Sequence, residues 1–301
     1  MALPNGLAER LKLPAIAAPM FLVSGPALVI EACRGGVIGA FPSLNCRSVE
    51  DYAAWLDRIE AALTPADAPY AVNLIVHKTN NRLDADLALT IARRVPIVIT
   101  SLGANEEIVR AVQGYGGLVF HDVISRRHAE KVARVGVDGI IALAAGAGGH
   151  TGTLSPFALL NEIRGLFDGV LILAGGISTG RDIAAARLMG ADLVSMGTRF
   201  IATHESLAPP AYKQMLVEVS AADIVATSRL TGVTANFLRP SLDAAGLDPE
   251  TAPAGDLGTG DDSRAWRDIW SAGHGVGAIR DIMSTAELCA LLAAEYDAAG
   301  G

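Results

Sequence analysis

Val170-Leu171-Ile172-Leu173-Ala174-Gly175-Gly176-Ile177-Ser178-Thr179-Gly180 is the stretch that decides the fold. An unbroken apolar run is followed by two glycines, and Thr179 stands before Arg181-Asp182 where a helix cap belongs. The run reads as a strand buried on both faces that enters a helix through a small-residue turn. The same unit recurs through the first 200 residues. Strands are predicted at Ala15–Ala18, Val37–Ala40, Tyr70–Ile75, Ile97–Thr100, Leu118–His121, Gly139–Leu143, Val170–Ala174 and Leu193–Met196. Helices are predicted between them at Pro26–Arg34, Val49–Leu63, Ala85–Arg93, Glu106–Val112, Arg126–Val135, Pro156–Phe167 and Arg181–Met189. Ser48 is placed to cap the second, and Gly136 and Gly190 to end two others in the left-handed conformation. Strands that alternate with helices in this way predict an α/β fold, a (β/α)8 TIM barrel. The rival is an open doubly wound sheet, which carries G-x-G-x-x-G directly after its first strand. The first strand here ends Ala18-Pro19-Met20, without that fingerprint. The glycine loops come late instead, which favours the barrel.

The rhythm changes after Phe200. Ala208–Val219 reads as a helix, and residues 221–260, with Pro240, Pro249 and Pro253, show no clean period. Thr285–Ala298 is an Ala-rich helix suited to be the last of the barrel. The expected organisation is therefore a barrel of residues 1–204 and 281–301, with residues 205–280 inserted after the last strand. Insertions at that end of a barrel cover the active site, so this one reads as a lid or small substrate domain.

Composition removes several classes. The chain has 301 residues, 51% hydrophobic and 19% charged, which is the reverse of a disordered profile. A net charge of −8 and no Lys/Arg cluster give no electrostatic footprint for nucleic acid. Cys33, Cys46 and Cys289 are scattered and odd in number. They form neither a disulfide framework nor a zinc site and fit the reducing cytoplasm, so no metal is expected. Mean hydropathy is +0.36, yet the longest uncharged run, Gly139–Asn161, is broken by glycines, His150, Ser155 and Pro156. No membrane span or signal peptide is expected.

Three loops carry chemistry. Gly175, Gly176 and Ser178 lie at the predicted C-terminal end of the seventh strand, where glycines admit a phosphate and a helix start offers free N–H groups. Gly197 and Thr198 stand at the end of the eighth strand, the second position of a barrel phosphate site. Arg199 reads equally as a phosphate ligand or an ordinary ion pair. Residues 144–152 after the sixth strand embed His150 among glycines, a poor place for core packing and a good one for an acid, base or hydrogen-bond donor. Met20, Asn73 and Thr100-Ser101 occupy other strand ends. A buried amide such as Asn73 needs partners, which a ligand or a neighbouring loop can supply. Residues 270–277, with Trp270 and His274 among small residues, read either as backbone packed on a ligand or as a structural turn.

Taken together, Ala18–Met20, Val72–Leu74, the glycine loop ending at His150, Ala174–Gly180, Met196–Phe200 and Trp270–Gly277 resemble the nitronate monooxygenase family, the 2-nitropropane dioxygenase-like flavoproteins. The resemblance runs from about residue 14 to 281. It implies FMN held between a barrel and a smaller domain, and oxidation of alkyl nitronates with dioxygen to a carbonyl compound and nitrite. By position, it implies that Gly175, Gly176, Gly197 and Thr198 hold the FMN phosphate. Met20, Asn73, Gly149, Ser178 and His274 would lie near FMN, and His150 would be the catalytic histidine.

Two positions depart from the family pattern. Gly146 stands where many relatives have a carboxylate, and His274 where many have Gln. The expected partners are a small-molecule substrate and dioxygen. The alternative is an NAD(P)H-dependent FMN reductase acting on a quinone or an enoyl thioester, which would use the same phosphate site and His150. An FMN-free isomerase or aldolase needs a catalytic Lys or carboxylate at a strand end. Of Lys12, Lys78, Lys131 and Lys213, only Lys78 lies near the catalytic rim.

Overall fold

A computed structural model of the chain describes Leu3, Pro4 and residues 6–252 and 267–301. Pro253 and the rest of residues 253–266 of the insertion lie outside the described residues. Eight parallel strands close into a barrel in the order β1 (Ala15–Ala17), β2 (Ile38–Pro42), β3 (Ala71–Ile75), β4 (Ile97–Ser101), β5 (Leu118–Val123), β6 (Gly139–Leu143), β8 (Val170–Ala174) and β9 (Leu193–Met196). Closure is direct: Ile16 of β1 is in register with Ser195 of β9. The fold is the TIM barrel expected from the sequence, with strand limits displaced by no more than two residues.

Strand side chains alternate across the wall. Ile16, Ile38, Ala40, Ala71, Ile97, Ile99, Phe120, Ile141, Ile172 and Leu193 pack together as the inner core. They are joined by Leu7 of the short helix α1 (Leu7–Arg10), which precedes the first strand. The opposite parity, including Val72, Val98, Val119, Ile140, Leu171 and Val194, packs outward against the helices. Those helices are α2 (Pro26–Arg34), α3 (Val49–Ala62), α4 (Leu83–Ala92), α5 (Glu106–Gly114), α6 (Arg126–Val135), α7 (Pro156–Arg164) and α8 (Gly180–Leu188). Ser48 caps α3 by accepting from Asp51 N, and Gly136 and Gly190 take φ of 84° and 97° as their helix-ending roles require.

The chain after β9 makes α9 (Thr198–Ile201), α10 (Pro210–Glu218), the antiparallel pair β10 (Ile224–Thr227) and β11 (Ala235–Leu238), and α11 (Arg239–Ala244). It returns through residues 269–279 to α12 (Thr285–Ala298), which packs between α8 and α2 and completes the ring of helices. That contact depends on Gly180, because a Cβ there would lie 2.2 Å from Leu292 O and 2.4 Å from Tyr296 N.

Residues 221–244 hold more order than the missing period suggests. The strands are four residues each, too short for a period to register, and β10 is half exposed. The third strand of their sheet is β7 (Gly149–His150), from the loop after β6. The insertion is thus stitched to the barrel at the predicted catalytic loop. It is also anchored apolarly: Tyr212 stacks on Trp270 with centroids 5.0 Å apart and planes 8° apart. Val23, Ile201, Leu216, Ala272 and Val276 are buried in the same cluster. No helix among the described residues is long and apolar enough to cross a membrane.

Candidate functional site

The loops after β6, β8 and β9 meet at the C-terminal end of the barrel, with residues 272–277 lying across them. Gly146 O is the junction: it accepts from Gly176 N at 3.2 Å and from His274 N at 2.9 Å. Gly273 N donates to Thr198 Oγ1 at 2.8 Å. Three backbones approach this closely because they carry no side chains here. A Cβ on Gly273 would sit 2.3 Å from Gly146 O, and one on Gly148 would sit 2.9 Å from Gly273 N.

Ser178 and Thr198 point hydroxyls into this region. Both residues are buried, and Ser178 Oγ has no hydrogen-bond partner among the described residues. It faces Gly275, where a Cβ would come within 2.4 Å of it. Thr198 Oγ1 accepts from Gly273 and keeps its own proton to donate. Gly176, with φ of +74°, opens onto space in which an added Cβ would meet nothing within 4 Å. An orphaned hydroxyl beside open, glycine-lined backbone is what an anionic group such as a phosphate would satisfy.

One part of the expected cradle is different. Most of the N–H groups at the start of α8 are not available to a ligand. Ser178 N and Thr179 N both donate to Asp182 Oδ2 at 2.9 Å, Asp182 N donates to Thr179 Oγ1, and Gly180 N donates to Glu295 Oε2 at 2.7 Å. A capping box and a carboxylate from α12 have taken the place of an anion. Hydroxyls and glycine backbone, rather than the helix terminus, are left for the ligand.

His150 lies in β7, in register with Ala235 of β11, while Gly149 is opposite Asn236. Asn236, buried, donates to Ala147 O at 2.7 Å and ties the glycine loop to the insertion from the other side. Burial holds the His150 pKa below its ordinary value and so favours the neutral ring. The ring of His274 packs over Gly146, its Nδ1 3.0 Å from where a Cβ on Gly146 would be. The two positions that depart from the family pattern are therefore neighbours.

Met20 is held by Ser24 and Asn45, and its sulfur lies 3.5 Å from the position of a Cβ on Gly197. Arg199 turns away from the site: it is buried and pairs with Asp281 and Met283 Sδ. It anchors the chain before α12. Trp270 packs on Tyr212.

Across the mouth, Asn73 donates to Ile99 O at 3.1 Å and to Ser101 Oγ at 2.8 Å. Ser101 donates to Asp122 Oδ2 at 2.7 Å. Burial raises the Asp122 carboxyl to about 6, although the Ser101 hydrogen bond opposes the shift. Behind it, His121 shares a 2.7 Å hydrogen bond with Thr100. Burial, with His128 and Lys131 adding repulsion, lowers His121 to about 4.

Sequence reasoning missed Asp122 and Asn236. The fifth strand was expected to end at His121, which left Asp122 outside the wall. A carboxylate at even spacing from Leu118 and Phe120 was the available signal.

The nitronate monooxygenase family profile matches residues 7–295. The chain belongs to the nitronate monooxygenase family. Its members are flavin-dependent oxidoreductases. A (3aS,4S,5R,7aS)-5-hydroxy-7a-methyl-1-oxo-octahydro-1H-indene-4-carboxyl-CoA dehydrogenase of Mycobacterium tuberculosis is 30% identical over 76% of this chain. The match spans 64% of that relative's length. Nitroalkane oxidase from Streptomyces ansochromogenes superposes with a TM-score of 0.86 at 25% identity, covering 98% of this chain and 99% of the other. A FabK variant from Thermotoga maritima superposes with a TM-score of 0.85 at 26% identity, covering 100% and 98%.

Proposed function

We propose that the chain binds FMN at the C-terminal end of its barrel and oxidises small alkyl nitronates, and their parent nitroalkanes, with dioxygen to a carbonyl compound and nitrite. The observation that carries this reading is the buried, unpartnered Ser178 hydroxyl facing the glycine-lined meeting of the loops after β6, β8 and β9. Gly175, Gly176, Ser178, Gly197 and Thr198 would hold the phosphate. Met20, Asn73, Gly149 and His274 would border the ring, and residues 205–280 would cover it. Bound there, FMN would supply electron acceptance and reactivity toward dioxygen.

The residues of the chain would do the rest. His150, kept neutral by its burial, is suited to take the α-proton of a nitroalkane rather than to offer one. Its pairing with β11 fixes the ring's backbone, so the base is held by a sheet rather than by a free loop. Three free, buried cysteines fit a cytoplasmic setting.

Anaerobic mixing of the FMN-loaded protein with a nitroalkane or its nitronate tests the proposal. Bleaching of the flavin by these compounds, with nitrite released on admitting air, is the expected result. No bleaching by any of them overturns it. A reductase reading is favoured by the FabK likeness and by the indene-carboxyl-CoA dehydrogenase relative. In that case NADH or NADPH, and not the nitronate, bleaches the flavin in the same experiment.

A further inference from the structure

Asn73, Ser101 and Asp122 stand on three consecutive strands at the parity of Ala71, Ile99 and Phe120. They therefore form the inward layer next above the apolar barrel core, on the side of the mouth toward the ligand. The polarity of their hydrogen bonds can be read without ambiguity. The Asn73 atom 3.1 Å from Ile99 O must be the nitrogen, because a carbonyl oxygen only accepts. Ser101 Oγ lies between that nitrogen, at 2.8 Å, and Asp122 Oδ2, at 2.7 Å. A carboxylate also only accepts, so Ser101 donates to Asp122 and accepts from Asn73.

Both amide hydrogens of Asn73 are thereby used. Turning the amide over would set its oxygen against the Ile99 carbonyl. The side chain is left with Oδ1, which takes no partner among the described residues. A locked, unpartnered acceptor at the rim of a ligand site calls for a donor on the ligand. Oxidised isoalloxazine carries a single ring N–H, at N3.

We propose that Asp122 and Ser101 are positioning residues that lock Asn73 as the acceptor for the N3–H of the flavin ring. This inference rests on the FMN reading above. It assigns a purpose to a half-buried carboxylate that the barrel would otherwise carry at a cost in desolvation.

The test is the affinity of the full-length apo-protein for FMN, followed by flavin fluorescence, so that it does not depend on turnover. Wild-type protein is expected to bind 3-methyl-FMN about tenfold more weakly than FMN, the scale of one hydrogen bond. Asn73→Ala is expected to bind the two equally. Equal wild-type affinities for both flavins overturn the proposal, and this comparison needs no variant to fold.

Ser101→Ala is expected to weaken FMN binding in the wild-type background and to have no further effect in Asn73→Ala. The same loss in both backgrounds overturns the relay. Asp122→Asn retains an acceptor for the Ser101 hydroxyl and is expected to bind FMN nearly as wild type, while Asp122→Ala matches Ser101→Ala. Equal losses in the two Asp122 variants contradict positioning through Ser101. Wild-type protein that takes up no FMN at all removes the proposed function itself, whereas normal FMN uptake with additive losses removes only the relay.

Discussion

The two sides of the barrel mouth are built from different materials. Over β6, β8 and β9 the site is mostly backbone: glycines at 146, 148, 273 and 275 let the chain segments touch, and Ser178, Thr198 and the His274 ring add side-chain groups. Over β3, β4 and β5 it is side chain: Asn73, Ser101 and Asp122 project inward from well-formed strands. Where its segments cross, the backbone side has no room for an added atom, whereas the side-chain side is fixed by the polarity of its hydrogen bonds. His150 stands at the seam, on the one strand that joins the barrel loop to the insertion.

Breaking the seam is expected to have the largest effect. His150→Ala should keep FMN while kcat/KM for nitroalkanes falls by about 10²- to 10⁴-fold, the range of a lost general base. Steady-state kinetics checks this, and an unchanged kcat/KM removes His150 from the mechanism. The backbone side is tested by Gly275→Val, whose Cβ would meet Ser178 Oγ at 2.4 Å and Gly176 backbone at 3.2 Å. Crowding of this kind costs about 1–3 kcal/mol and should appear as roughly ten- to hundredfold weaker FMN binding. Ser178→Ala removes one donor to a charged group and adds no volume. It should weaken FMN binding by about tenfold, measured by the same fluorescence titration. A larger loss in Ser178→Ala than in Gly275→Val would invert the comparison.

The side-chain wall is sharpened by pH. The folded state holds a proton on Asp122 up to about 6 instead of the free value of 3.8. That contribution to stability is present below pH 4 and falls as pH rises toward 6. His121 is lowered from 6.5 to about 4, so the folded state binds fewer protons there and stability rises over nearly the same interval. Each slope is about 1.4 kcal/mol per pH unit at most, and the two oppose. Asp122→Asn should leave the rise from His121 alone, so urea unfolding should show greater stability at pH 6 than at pH 4.5, relative to wild type. Parallel pH profiles for the two proteins would show that Asp122 does not titrate in this way.

The cradle was the more legible half of the site. Glycines concentrated at 146–152, 175–180 and 273–277 mark places where backbone must approach something closely, and that signal needs no partner to be read. The occupancy of the α8 terminus was not legible, because Glu295 comes from a helix more than a hundred residues away. Asn73 was noticed as a polar residue in an apolar run, but its partners required the register of β3 against β4. Asn236 was unreadable in the sequence, since its role depends on β11 meeting the loop after β6. Arg199 had two equal readings until Asp281 was found beside it.

The sequence by itself determined the barrel, because eight buried strands and their capped helices are written in local periodicity and end signals. It also singled out the candidate phosphate loops and His150, because a histidine among glycines at a strand end stands out without any neighbour. Tertiary structure alone decided which of those groups remain free for a ligand. Hydrogen-bond capacity is shared among strands and loops distant in sequence. A donor such as Ser178 N is spent on Asp182, a hydroxyl such as Ser178 Oγ is spared, and Asn73 is turned into an acceptor only when β3, β4 and β5 stand side by side.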